Sequence, residues 1–140
     1  MTFSKPSKSK GQSKDSYDWE LLRFCNKIDT TVIGGASKLF KHFVSDYNPN
    51  SILSFADRRY SSGGLYTQLG FDSMGNTRLN YWYIDFASVK RVHRFKLRKT
   101  ADDNPELTEY ENRVTKGWSR IWDCGSSKWV WTNPIQTSPL

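Results

Sequence analysis

Residues 31–49, TVIGGASKLFKHFVSDYNP, decide the fold, because a pair of glycines is followed there by one face of an α-helix. Apolar residues recur after the glycines with the spacing of a single helix face, at Leu39, Phe40, Phe43, Val44 and Tyr47. Ser37 is the predicted N-cap of this helix, and Asn48-Pro49 is its predicted end.

Further elements are predicted on both sides of this helix. The apolar run from Trp19 to Cys25 is short enough for a strand, with a helix as the alternative. Ser51–Phe55 has the pattern of a short buried strand, and Ser61–Leu69 that of a short helix ended by Gly70. This strand-helix-strand-helix order predicts a βαβ unit with parallel strands.

From Asn80 onward, apolar and aromatic residues alternate with the period of two that antiparallel strands require. The two predicted hairpins are Tyr81–Phe86 with Arg91–Arg98, and Trp118–Asp123 with Lys128–Thr132. Between them, a helix is predicted from Asn104-Pro105-Glu106 to Gly117. The predicted fold is therefore α/β of the mixed α+β kind, a small central sheet with a β-α-β-α unit, then a β-hairpin, a helix and a C-terminal β-hairpin.

The chain has 140 residues, of which 36% are hydrophobic and 15% aromatic. This length suits a single core, so we predict one domain over residues 17–132. Residues 1–16 hold four lysines among small polar residues and are predicted to form a disordered basic arm, and residues 133–140 a tail.

The charge of the chain indicates a polyanionic partner. Lys and Arg number 21 against 14 Asp and Glu, which gives a net charge of +7 and an isoelectric point near 9.5. No apolar run approaches the roughly 20 residues of a membrane span, and the N-terminus lacks an apolar signal core. We therefore expect a cytoplasmic, nucleoid-associated protein that does not contact membranes.

Residues 90–99, KRVHRFKLRK, carry six cations and no acid, and we call them the basic segment. If the segment is a strand, Arg94, Lys96 and Arg98 project from one face, roughly 6.5 to 7 Å apart. Neighbouring phosphates of one DNA strand lie about 7 Å apart, so this stripe could follow a DNA backbone. A solvated strand face is the alternative. The predicted DNA contacts are Lys5, Lys8, Lys10, Lys14, Arg58, Arg59, Tyr60, Lys90, Arg91, Arg94, Lys96, Arg98 and Lys99.

Catalytic and metal-binding patterns are scarce. Asp57, at the end of a predicted strand, is the carboxylate best placed for a metal-dependent nuclease. Cys25 and Cys124 are predicted to be reduced and packed, and we expect no cofactor and no metal ion. Five carboxylates cluster in a predicted loop and helix face and are predicted to form a solvated surface: Asp102, Asp103, Glu106, Glu109 and Glu111.

Two further groups of residues allow alternative interpretations. Gly34, Gly35, Ala36 and Ser37 form either a phosphate-binding loop at a helix N-terminus or a tight turn. The aromatic residues of the second half either stack on exposed bases or fill the core, which is the expectation for most of them. They are Tyr81, Trp82, Tyr83, Trp118, Trp122, Trp129 and Trp131.

The first half of the chain resembles part of an acetyltransferase fold. Residues 31–36, TVIGGA, precede a helix, and residues 65–71 read LYTQLGF. This arrangement resembles the central half of GNAT-type acetyltransferases, which hold the acetyl-CoA pyrophosphate with a glycine loop and end the next helix in Tyr-x-x-x-Gly-Phe. Thr31 stands where that family has Gln or Arg. The resemblance implies, as an alternative function, acyl-CoA-dependent N-acyl transfer.

A second resemblance covers residues 17–132. The same stretch, together with NYWY at 80–83, HRFKLRK at 93–99 and RIWDCGSSKW at 120–129, resembles the non-catalytic C-terminal domain of phage homing endonucleases. This resemblance implies a domain that recognises double-stranded DNA without a nuclease half. We therefore expect a sequence-specific repressor of phage or mobile-element type that acts by occupying its site, with a homodimer as one expectation for its assembly. A reduced nuclease that uses Asp57 is the third alternative.

Overall fold

The computed structural model describes residues 1–7 and 16–135. In chain order the strands are β1 (Thr2–Ser4), β2 (Trp19–Arg23), β3 (Ser51–Asp57), β4 (Asp72–Asn76), β5 (Tyr81–Asp85), β6 (Lys90–His93), β7 (Trp118–Trp122) and β8 (Ser126–Thr132). The α-helices are α1 (Gly35–Tyr47), α2 (Gly64–Gln68) and α3 (Glu109–Thr115). The predicted mixed α+β class is confirmed.

The described residues form two compact units, where the sequence predicts one domain over 17–132. Residues 78–125 form unit 2, and the chain on either side of them forms unit 1. Unit 1 contains a five-stranded sheet in the order β1-β2-β3-β8-β4, and unit 2 a three-stranded sheet in the order β6-β5-β7. No helix in the described part of the chain is long and apolar enough to cross a membrane.

The predicted βαβ unit is confirmed in unit 1, because β2 and β3 pair in parallel and α1 connects them. The helix begins three residues earlier than predicted, since Gly34 is its N-cap with φ +70° and Ser37 already lies inside it. Glycine adopts this left-handed conformation without strain, so the cap needs no side-chain oxygen. Asn48 ends the helix in the same conformation, as its position before a proline suggests.

The core of unit 1 is aromatic and lies between the sheet and its helices. Phe40 of α1 packs edge-on against Trp131 of β8 and tilted against Phe71. A side chain at Gly63, whose φ is +90°, would overlap the ring of Trp129. The buried cluster consists of Leu21, Phe40, Ile52, Ala56, Leu69, Phe71, Trp129 and Trp131.

The first residues of the chain form part of this sheet, where the sequence predicts a disordered arm. Strand β1 pairs antiparallel with β2. Phe3 stacks on Phe43 of α1 with ring centroids 3.6 Å apart. The single apolar side chain of a polar segment thus finds an aromatic partner some forty residues away, a contact that local composition does not reveal.

The predicted C-terminal hairpin is wrong, although both of its strands exist. Strand β7 pairs with β5 in unit 2, whereas β8 pairs with β3 and with β4 in unit 1. The strands therefore belong to different sheets, and β8, paired along its whole length with β3, buries Trp129 and Trp131. Strand β4 has no apolar residue except Met74, so its sequence gave no strand signal.

The predicted start of the helix in unit 2 is also wrong. Helix α3 begins after Thr108, four residues beyond the predicted Asn104 cap. The Thr108 side chain accepts a hydrogen bond from the Glu111 backbone N–H, and the Glu111 carboxylate accepts one from the Thr108 N–H in return. This capping box satisfies two backbone donors at once, which the Asn-Pro-Glu sequence cannot do.

Candidate nucleic-acid interface

The basic segment is half strand and half 3-10 helix. Strand β6 ends at His93, and Arg94–Leu97 form a 3-10 helix. The His93 imidazole caps this helix by accepting a hydrogen bond from the Phe95 N–H, at 3.4 Å. The predicted stripe of Arg94, Lys96 and Arg98 is therefore wrong, because a helix with three residues per turn does not place alternate residues on one face.

The cations of the segment are divided between two concavities within unit 2. One, the arginine pocket, has a volume of about 240 Å³ and is lined by Tyr81, Arg94, Phe95, Arg98 and Glu109. The other, the tryptophan cleft, has a volume of about 590 Å³ and is lined by Trp82, Lys90, Arg91, Val92, His93, Lys96, Leu97 and Trp118.

The tryptophan cleft combines positive charge with aromatic rings. The Arg91 guanidinium lies 4.5 Å from the Trp82 ring centroid, and the His93 ring meets the same indole edge-on at 4.8 Å. Lys90 and Lys96 add two ammonium groups, and no residue lining the cleft carries a carboxylate. A cleft of this kind suits a ligand with negative charge beside an apolar or aromatic body.

The arginine pocket contains charges of both signs. The guanidinium groups of Arg94 and Arg98 lie 5.0 and 4.5 Å from the ring centroid of Phe95. On the other side, the Glu109 carboxylate accepts hydrogen bonds from the Tyr83 hydroxyl at 3.0 Å and the Tyr81 hydroxyl at 3.4 Å. Burial of Tyr83 is the largest cause that raises the pKa of its phenol, so this hydroxyl remains a donor near neutral pH.

A buried ion pair holds the basic segment in place. The Arg113 guanidinium donates to Asp103 at 2.5 and 2.9 Å and to the backbone carbonyls of Leu97 and Arg98 at 2.8 and 2.9 Å. Lys116 donates to the same carboxylate at 2.5 Å. One arginine of α3 therefore fixes the backbone on which Arg94 and Arg98 are carried.

The sequence predicts that Asp103 belongs to a solvated surface. This prediction is wrong, because the Asp103 side chain is fully buried. The Asp103–Arg113 spacing of ten residues spans a loop and a helix start, so no regular pattern marks the pair in the sequence. Lys99 of the basic segment also has a structural task, since its ammonium group donates to the carbonyls of Pro105 and Leu107 at 2.9 and 2.7 Å.

The ion pair predicts how the stability of the chain depends on pH. Hydrogen bonds from Arg113, and next from Lys116, hold the pKa of Asp103 well below its ordinary 3.8. The unfolded chain therefore binds a proton more readily, so the stabilisation is present above the unfolded pKa and is lost as the pH falls below it. We expect urea midpoints to fall less steeply from about pH 5 to pH 2 in Asp103→Asn than in the parent chain.

Asp102→Asn is the matched control for this measurement, because Asp102 is an exposed acid next in the chain. The control should keep the parent's pH dependence. Equal acid sensitivity in Asp103→Asn and the parent chain would contradict the assigned role of the pair.

The residues of unit 1 that the sequence predicts to contact DNA do not lie on a disordered arm and a free loop alone. Lys5 lies against the sheet, with its ammonium group 4.3 Å from the Trp19 ring centroid and donating to the Asp18 carbonyl. Lys8, Lys10 and Lys14 lie outside the described residues. Arg58 and Tyr60 are exposed after β3, Tyr60 to 82%.

Arg59 is bound by a carboxylate of its own loop. Its guanidinium donates to both oxygens of Asp57, the closest approach being 2.6 Å. The Arg59 hydrogen bonds lower the pKa of Asp57 to about 2. Asp57, the predicted nuclease carboxylate, is thus paired with a cation, and the described residues contain no cluster of three or more His, Cys, Asp and Glu with metal-ligand geometry.

The glycine loop lies at the start of α1, as predicted. Gly34 caps the helix, the Gly35 N–H donates to the Val32 carbonyl at 3.0 Å, and the Lys38 N–H donates to the Gly34 carbonyl at 3.0 Å. The residues Gly34, Gly35, Ala36 and Ser37 therefore form a tight turn that leads directly into the helix.

The burial of the cysteines and of the aromatic residues differs from the sequence predictions in part. Cys25 and Cys124 are both exposed, so the prediction of packed thiols is wrong. Of the seven aromatic residues, Tyr83, Trp129 and Trp131 are buried and Trp122 is exposed. The other three, Tyr81, Trp82 and Trp118, are half-buried and line the two concavities of unit 2.

Comparison with models of protein families gave no match, and comparison with curated proteins gave none either.

Proposed function

We propose that this protein binds double-stranded DNA through the basic segment of unit 2. The observation that carries the proposal is the tryptophan cleft, where Lys90, Arg91 and Lys96 meet two indole rings without a lining carboxylate. DNA supplies the phosphate charges that such a set of cations attracts.

The distribution of ion pairs in unit 2 supports this proposal. Three acids of unit 2 have other partners: Asp103 binds Arg113 and Lys116, Asp85 binds Ser88, and Glu111 caps α3. Among the described residues, no cation of the basic segment lies within ion-pair distance of a carboxylate. Glu109 in the arginine pocket and Asp85 opposite Lys90 offset only part of this charge, and the remaining excess of cations attracts a polyanion.

We further propose that the binding is sequence-specific and that the protein represses transcription by occupying its site. The resemblance of residues 17–132 to the DNA-recognition half of phage homing endonucleases supports this step, because such a domain without a nuclease can still exclude polymerase from a promoter.

Selection of bound fragments from a random duplex library, at about 150 mM salt, tests the proposal. We expect a recurring motif that binds at least ~10³-fold more tightly than unrelated duplex in competition. Recovery of fragments without enrichment would contradict sequence-specific recognition, and failure to retain any duplex would contradict DNA binding itself.

A further inference from the structure

The arginine pocket presents unpaired charges of opposite sign to one small cavity. Arg94 and Arg98 line it together with Glu109, yet among the described residues neither arginine lies within ion-pair distance of this carboxylate. Arg94 Nε is in addition buried without a hydrogen-bond partner. The other guanidinium nitrogens of Arg94 and those of Arg98 are therefore the donors that the pocket offers to a ligand.

The charges of the pocket restrict the chemistry of its ligand. A simple anion is repelled by the Glu109 carboxylate, and a simple cation by the guanidinium groups of Arg94 and Arg98. A ligand with hydrogen-bond acceptors on one edge and donors on the next edge bridges both. Guanine has this pattern, because O6 and N7 accept while N1–H and the 2-amino group donate.

The planar groups of the lining favour a planar ring, because guanidinium planes and aromatic rings both stack on one. The Phe95 ring is 54% exposed and carries the Arg94 and Arg98 guanidinium groups beside it. Tyr81 supplies a second ring, and its hydroxyl is already turned towards Glu109. The cavity of about 240 Å³ is large enough for one purine and too small for a base pair.

We propose that the arginine pocket binds the guanine of a nucleotide that has left the base stack of DNA. Arg94 and Arg98 donate to O6 and N7, and the Glu109 carboxylate accepts from N1–H and the 2-amino group. The proposal rests on the proposed DNA binding, because the adjacent cations of the basic segment hold the phosphates on either side of the extruded nucleotide.

The test uses the full chain and duplexes that carry one guanine or one adenine opposite an abasic site, so that the base is unpaired. Tryptophan fluorescence measures binding to unit 2, because Trp82 and Trp118 line the tryptophan cleft and Trp122 lies 5.0 Å from the Tyr81 ring. We expect about a tenfold or greater preference for guanine. Equal affinity for the two duplexes would overturn the guanine assignment and leave DNA binding intact, whereas loss of all duplex binding would contradict the proposed function too.

Matched variants locate the preference in the pocket. Glu109→Gln should abolish most of the preference, while Glu106→Gln, the same change at an exposed acid, should retain it. Arg98→Met provides a second variant at an exposed side chain, in case Glu109→Gln perturbs the tyrosine hydroxyls. An unchanged preference in both pocket variants would overturn the assignment.

Free nucleotides identify the source of the guanine. GMP should quench weakly and AMP less, and inorganic phosphate should not compete, because the pocket reads the base. GMP binding as tight as that of the guanine duplex would overturn the assignment to DNA, and competition by phosphate alone would overturn base recognition.

Discussion

Replacing Lys90, Arg91 and Lys96 together by glutamine should reduce the salt dependence of DNA binding by nearly half. A contact set of six to eight phosphates predicts a slope of log K against log salt of roughly −5 to −7, at about 0.9 per phosphate. Three lost contacts therefore lower the magnitude of this slope by about 2.7. We expect the triple variant to keep its fold, because these three side chains are exposed at the tryptophan cleft.

A second triple variant separates local contacts from net charge. Lys27, Lys38 and Lys41 are exposed in unit 1, and their replacement by glutamine changes the net charge by the same amount. Filter binding at a series of salt concentrations should show the parent slope for this variant. Equal slopes for the two triple variants would show that the chain attracts DNA by overall charge alone and would contradict a binding surface in unit 2.

Arg113→Leu should cause the largest loss of stability in unit 2. Its side chain is 5% exposed, and its removal leaves the buried Asp103 carboxylate with the half-exposed Lys116 as its remaining cation, beside the hydrogen bonds from Thr100. Removing one partner of a buried ion pair typically costs about 3–5 kcal/mol. The carbonyls of Leu97 and Arg98 lose their donors as well, so the segment that carries Arg94 and Arg98 should become mobile.

Amide hydrogen exchange measures this loss within unit 2, since global unfolding would mix the two units. The free energy of opening measured at the amides of β5 and β7 should fall by about 3–5 kcal/mol. The exchange of the amides of β3 and β8 should change little. Lys116→Met is the control, because a half-exposed ion pair is worth at most about 1 kcal/mol. Equal effects of the two substitutions would contradict the central place of Arg113.

The first half of the chain could be predicted well because its signals are local. The glycine turn, the apolar face of α1 and the short strand at Ser51 all lie within about twenty residues of one another. The parallel pairing of β2 with β3 then follows from the handedness and length of the connection between them. The hairpin of β5 and β6 was predictable for the same reason.

The remaining features depend on distant partners. Nothing near Trp118 indicates that β7 pairs with β5, and nothing near Arg113 indicates that its guanidinium reaches Leu97. The basic segment shows the limit most clearly, because its composition was recognised while its conformation changes from strand to 3-10 helix within two residues. The sequence therefore locates the cations as a group, but it does not predict their distribution over two cavities.

The two residues that flank unit 2 in the chain, Thr77 and Ser126, are hydrogen-bonded to each other. The Thr77 N–H donates to the Ser126 carbonyl at 2.8 Å, and the Ser126 N–H donates to the Thr77 hydroxyl at 2.9 Å. Strand β8, which lies between β3 and β4, begins only at this junction. During synthesis, all of residues 78–125 leave the ribosome before β8 does, so unit 2 can fold while the sheet of unit 1 still lacks an inner strand. Residues 78–125 can therefore be deleted as one segment, with Thr77 and Ser126 joined by a short turn. This deletion would keep every strand of the five-stranded sheet of unit 1.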